Sequence, residues 1–439
     1  MPVVGKSPKV VTADAAVANI LSGSNIFVHG IASTPTELLE ALCRRVDTHE
    51  LKNIRLMHLL LIGNVPTANN KYFGKIRSNC LFLANNYRPL VSEGHADYIP
   101  IFLSDMPSYF YDKSFRVDVA LMAVSSPDEH GFCTLGVSVD TAKAALEMAK
   151  MVIAIVSPKI PRTHGNSIVH QSHIDYIVES DQTLHGLADD QPSQEEMKIG
   201  QLIAENLVDN GATLQLGIGA IPFSTLMSMK HHKDLGIHTE MLGHSIMDLI
   251  ERGVVNNAKK TVLPGRVVTS FALGTQKFYE YLHNNPLFHF DCCSWTNCAE
   301  VIRSNSKMTA INSGIEIDIT GQVASDSIGT TFYSGFGGQT DFMTAAPTAY
   351  DGMGKSIMAL PSRTTKGQSR ITVTLAKGAG VVTTRGHTRY VVTEHGIASL
   401  GGKNVRQRAY ELIKIAHPED REQLEKASFE RLKCMPSPD

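Results

Sequence analysis

The chain has 439 residues, 43% hydrophobic and 19% charged, and its 41 Lys and Arg against 43 Asp and Glu leave a formal net charge of -2. That length provides for two large domains, each with a substantial core. The near-neutral balance, with no basic stripe, excludes a nucleic-acid backbone as partner, and no apolar run is long enough to suggest a membrane span.

In chain order, Met1–Lys9 has no charged segment leading into an apolar stretch, so no signal peptide is expected. Ile26–His29, Val119–Ser125 and Met151–Val156 read as short apolar strands, and Pro35–Val46 and Val139–Lys150 carry helical spacing. This alternation predicts an α/β chain with mainly parallel sheets. Three motifs recur in the same order. Phe27-Val28-His29-Gly30-Ile31-Ala32 with Pro35 matches Leu214-Gln215-Leu216-Gly217-Ile218-Gly219-Ala220 with Pro222. Asp128-Glu129-His130-Gly131 matches Asp318-Ile319-Thr320-Gly321, and the run from His173 to Val178 matches that from His387 to Val392. Two similar α/β domains are therefore expected, 1–188 and 189–439, joined through the polar stretch Ser180–Glu196, with the site between them. Lys403–Lys433 reads as helix and Pro436–Asp439 as a frayed tail.

Four stretches can carry chemistry. Gly217-Ile218-Gly219-Ala220 lies between a strand and a helix, where unpaired backbone N–H groups suit a phosphate, a carboxylate or a thioester oxyanion. The third glycine of a dinucleotide fingerprint is absent. Ile237–Thr239 reads as a short strand with Glu240 at its carboxyl end, where Met241 and Leu242 would partly desolvate it; the alternative is an ordinary surface glutamate. Asn297 could donate its amide to a substrate oxygen or serve only as a turn residue. Gly337-Gly338, in the run Gly335–Phe342, allows close backbone approach and an oxyanion hole, or a plain tight turn. Glu316 is a second candidate nucleophile, whereas the repeat assigns Asp318, with Asp128, to a structural turn. The repeat likewise favours structural roles for His173 and His387. No Gly-x-Ser-x-Gly elbow is present. The seven scattered cysteines, with one cluster at Cys292, Cys293 and Cys298, fit buried free thiols better than a metal site.

With these motifs aligned, the chain resembles the acetyl-CoA hydrolase/transferase family. The matching stretches run nearly end to end: Phe27–Pro35, His95–Pro107, Ser125–Asp140, Leu214–Pro222, Gly236–Leu242, Ile311–Val323, Gly335–Phe342 and Thr393–Arg408. The resemblance implies two domains of the fold shared by CoA-transferases and ribose-phosphate isomerases. It implies Glu240 as catalytic glutamate, Asn297 as an amide beside it and Gly338 as a backbone oxyanion donor. Gly217, Ile218, Gly219, Ala220 and Gly337 would lie along the acyl-CoA. The substrates implied are acyl-CoA and small carboxylic acids, with coenzyme A entering as a thioester and no permanently bound cofactor or metal. A homodimer in the cytoplasm or mitochondrial matrix is expected. An acyl-CoA hydrolase using the same glutamate, or an inactive CoA-binding protein, are the alternatives. Lys366, Arg370 and Lys377 are candidates for holding the CoA diphosphate. Gly243-His244-Ser245 departs from the Ser-Asp-Gly-like turn usual after the glutamate, which bears on substrate size.

Overall fold

The computed structural model describes residues 2–187 and 191–439. Backbone contacts divide the chain into two compact units, Met1–Ala188 with Val268–Thr296, and Asp189–Val267 with Asn297–Asp439. The expected division between residues 188 and 189 falls outside the described residues. Its second half needs one correction, because Val268–Thr296 goes with the first unit. The cause is main-chain bonding. Val139 and Asp140 donate to Ser270 O at 3.1 and 3.2 Å, Ala272 donates to Val137 O at 2.8 Å, and Asn166 donates to Phe290 O at 2.8 Å. These N–H groups need partners once buried, and two segments distant in sequence supply each other's acceptors.

In the first unit the strands of the main sheet lie in the order Lys9–Val10, Tyr176–Glu179, Met151–Ser157, Val119–Ser125, Asn25–Val28, Ile54–His58, Ile76–Cys80 and Asp97–Tyr98, and every pairing within that sheet is parallel. Val119–Ser125 is buried at every position, as its unbroken apolar run requires in a sheet covered on both faces. In the second unit Gly236–Gly243, Thr213–Leu216, Met308–Ser313, Lys355–Ala359 and Tyr390–Thr393 are parallel neighbours in that order, and Gly396–Ser399 closes the edge antiparallel.

The repeated motifs fall at matching places. Gly30 and Gly217 each follow a central strand and precede a helix, Thr36–His49 and Ala220–Met227 respectively. Asp128 Oδ1 accepts from His130 N at 3.0 Å and Phe132 N at 2.8 Å. Asp318 Oδ1 accepts from Thr320 N at 2.9 Å and Gln322 N at 3.1 Å. Each aspartate also meets an arginine, Arg162 at 2.7 Å and Arg431 at 3.4 Å. The Asp-x-x-Gly pair is thus an Asx-type turn used twice. His387 serves a turn as well, its Nδ1 lying 3.0 Å from Thr384 Oγ1.

Two local expectations change. The single C-terminal helix is two, Val405–Lys414 and Pro418–Leu432, because Pro418 disfavours helix at the residue before it and suits a first turn. The tail is tied rather than frayed: Pro438 O accepts from Gln407 Nε2 at 3.2 Å, and Asp439 O accepts from Arg406. Five of the cysteines are buried and two are half-buried, all as free thiols. No helix among the described residues is long and apolar enough to cross a membrane.

Candidate active site

The second unit gathers Glu240, Asn297 and Gly338 from three separate stretches. Glu240 lies inside the strand Gly236–Gly243, not at the carboxyl end of a short one. The neighbouring strand, paired Thr213 to Gly236 and Leu214 to Ile237, ends at Leu216. Glu240 therefore stands beyond its neighbour's last residue, where the parallel sheet opens toward a ligand crevice.

The same strand is held firmly just upstream. Asn257 Oδ1 accepts from Ile237 N at 2.9 Å, and Lys260 Nζ donates to Ile237 O at 2.7 Å and to Arg266 O at 2.8 Å. The Lys260 stem occupies the space that a side chain at Gly236 would need, with Cγ 2.3 Å from an added Cβ. Burial among carbonyls pushes the Lys260 ammonium down to about 7.

Glu240 is 9% exposed and Asn297 1%. Burial, with the nearby Asp341 charge adding to it, pushes the Glu240 carboxyl up to about 8, against the opposing hydrogen bond from Asn297. Asn297 Nδ2 donates to Glu240 Oε2 at 3.2 Å and to Asp341 Oδ2 at 3.0 Å. Gly338 comes closest of all: an added Cβ would stand 2.1 Å from Glu240 Oε2 and 2.4 Å from Asn297 Nδ2. Only glycine fits there. It caps the helix Gln339–Ala345, whose first turn carries Asp341. The preceding Gly337 has φ +55°, a left-handed value that glycine adopts without strain.

The turn Gly217–Ala220 lies beside the same strand. A Cβ at Gly217 would be 3.5 Å from Met241 Cε, and one at Gly243 would be 3.2 Å from Ile218 Cγ2. Gly219, at φ +113°, opens the helix Ala220–Met227. Glu316 accepts from Ala376 N at 2.8 Å, so its carboxylate is spent on a loop. Arg370 points inward, donating to Ile315 O at 3.1 Å, while Lys366 and Lys377 are exposed. The sequence reading missed Asp341. It stands in the quoted run Gly335–Phe342, but one acid in a helix's first turn ordinarily reads as a dipole complement.

Both halves of the chain resemble known proteins. Residues 7–187 match the acetyl-CoA hydrolase/transferase N-terminal domain, and residues 274–428 match its C-terminal domain. A succinyl-CoA:acetate/propanoyl-CoA:succinate CoA transferase of Fasciola hepatica is 48% identical over 100% of this chain and 91% of its own. A 4-hydroxybutyrate coenzyme A transferase of Clostridium kluyveri is 44% identical over 95% of this chain and 96% of its own. The crystal structure of a 4-hydroxybutyrate CoA-transferase from Porphyromonas gingivalis superposes with a TM-score of 0.81 at 34% identity, covering 96% of this chain and 98% of that one. With domain matches in both halves and end-to-end relatives, the chain belongs to the acetyl-CoA hydrolase/transferase family.

Proposed function

We propose that this chain transfers coenzyme A from an acyl-CoA to a free short-chain carboxylate of the acetate, propionate, butyrate, succinate or 4-hydroxybutyrate class, with Glu240 as the covalent carrier. The observation that carries this reading is the Glu240 carboxylate, nine-tenths buried, with an amide donor and a glycine backbone crowded against one of its oxygens. The relatives named above, a succinyl-CoA:acetate/propanoyl-CoA:succinate CoA transferase and a 4-hydroxybutyrate coenzyme A transferase, support the substrate class.

The Glu240 carboxylate attacks the thioester carbonyl. The C–S bond breaks, coenzyme A leaves as a thiolate with the bonding pair, and a mixed anhydride remains. The thiolate then attacks the Glu240 carbonyl carbon and expels the donor acid as its carboxylate, leaving a glutamyl-CoA thioester. The acceptor carboxylate attacks that thioester, the thiolate is released again, and it attacks the acceptor's carbonyl in the new anhydride. Acyl-CoA departs and Glu240 is restored. No net proton is consumed, and one hard exchange becomes several easier ones. Each tetrahedral step needs oxyanion donors, which are the Gly338 N–H and the Asn297 amide; losing one typically costs about 3–4 kcal/mol. Gly217–Ala220 and Gly337 are assigned to the acyl-CoA side. Water must stay out while the anhydride exists, or the site becomes a hydrolase. The assembly assigned is a homodimer, in the cytoplasm or mitochondrial matrix.

Initial rates with varied acyl-CoA at several acceptor concentrations test this. The expected outcome is parallel double-reciprocal lines and no transfer by Glu240→Gln. Intersecting lines contradict the covalent route, and acyl-CoA loss at the same rate without acceptor identifies a hydrolase instead.

A further inference from the structure

Asp341 shares Asn297 with the nucleophile, yet the steps above give it nothing to do. We propose that Asp341 is a positioning residue: it holds one N–H of the Asn297 amide so that the other faces Glu240, and its charge disfavours the free Glu240 carboxylate relative to the acylated forms. This rests on Glu240 being the covalent carrier.

The geometry supports the first part. Asn297 Nδ2 lies 3.2 Å from Glu240 Oε2 and 3.0 Å from Asp341 Oδ2. Turning the amide over would set its oxygen against two carboxylates. Glu240 alone could not maintain that orientation through the reaction, because acylation removes its charge. Asp341 forms no covalent bond in any step, so its oxygen remains an acceptor for Asn297 and the other Asn297 N–H keeps facing the reacting carbonyl. Its seat is rigid. Asp341 lies on the helix Gln339–Ala345, whose Phe342, Met343 and Ala345 are buried. Gly338 caps the same helix and lets it approach the nucleophile to a distance no side chain would allow. One helix thus supplies both the proposed oxyanion N–H and the carboxylate that orients the second donor.

The second part follows from charge. Two carboxylates sharing one buried site disfavour joint ionisation. The other titratable groups on the elements packed here include His238 on the Glu240 strand, Lys260 against Ile237 O, Cys298 next to Asn297, Glu300, which is paired with Arg303, and Lys355, which is paired with Asp209. The charge that raises the Glu240 carboxyl is that of Asp341. Forming the anhydride or thioester relieves this repulsion, and it returns only when acyl-CoA departs and the Glu240 carboxylate is freed. Asp341 therefore shifts the internal equilibrium toward the covalent enzyme.

Asp341→Asn, Asn297→Ala and the double variant are compared with wild type for kcat, for the acid limb of the kcat/KM profile, and for thermal unfolding. The expected results are a fall in kcat of about tenfold to a hundredfold in Asp341→Asn, an acid limb moved to lower pH, and a smaller fall in kcat when Asp341→Asn is added to Asn297→Ala than when it is made in wild type. Asp341→Ser gives the same readouts if the asparagine variant is poorly folded. An unmoved acid limb, or effects on kcat that multiply, would overturn the proposal. If wild type exchanges no coenzyme A, the assigned reaction fails. The inference is then read from the Glu240 carboxyl band in infrared difference spectra against Glu240→Gln, where an unchanged midpoint in Asp341→Asn contradicts it.

Discussion

Glu240 is placed at a cost to folding. Its folded value of about 8 lies well above that of an unfolded glutamate. Between the ordinary carboxylate range and about 8, the folded chain keeps a proton that the unfolded chain has lost, so this group's contribution to stability falls as pH rises through that window. Glu240→Gln removes the titration. It should be the more stable protein by on the order of 3 kcal/mol near pH 7, with the gap shrinking toward about pH 5. Urea denaturation at both pH values checks this, and a gap that widens on acidification contradicts it. In the sequence the glutamate stands out as an acid at the end of a short strand, which left an ordinary surface glutamate as the alternative until the family resemblance singled it out. Asn297 and Gly338 each had a plain turn reading, and only the family resemblance raised them above it. Asp341 was not legible, since its meaning depends on an asparagine far away in sequence that reaches it through the fold.

At the scale of elements, the loop beside the Glu240 strand acts as a surrogate strand. Asn257 and Lys260 satisfy both the N–H and the C=O of Ile237 through side chains. Asn257 is fully buried and sits at φ +58°, a left-handed conformation that asparagine tolerates better than alanine. Replacing it with alanine leaves the Ile237 N–H without its acceptor, at about 1–3 kcal/mol, and adds about 1–2 kcal/mol of backbone strain. Asn257→Gly should lose only the first part, so unfolding midpoints should rank wild type, glycine, alanine; equal variants would contradict this division. The alternation of strands and helices was readable from apolar spacing. The length of the Glu240 strand was not, because Glu240 looks like an end and Gly243 is the true one. The break before Pro418 was available in the sequence, but apolar spacing continues across it.

Over the whole molecule, the internal repetition predicts two similar α/β domains, and strand register extends the match. Ile26 pairs with Leu56 in the first unit, and Thr213, at the corresponding distance before its glycine turn, pairs with Gly236 in the second. His58 then corresponds to His238, both buried, and Leu60 corresponds to Glu240. One unit keeps a leucine where the other carries the carboxylate proposed as the covalent carrier. The passage of Val268–Thr296 to the first unit escaped a reading along the chain, because only tertiary main-chain hydrogen bonds assign it. The central claim is tested most directly by mixing the protein with an acyl-CoA, adding borohydride, which reduces a glutamyl thioester to an alcohol, and mapping the product by peptide mass. The account predicts reduction at Glu240 in wild type and none in Glu240→Gln. Reduction at another residue, or none while coenzyme A is still exchanged, would contradict it.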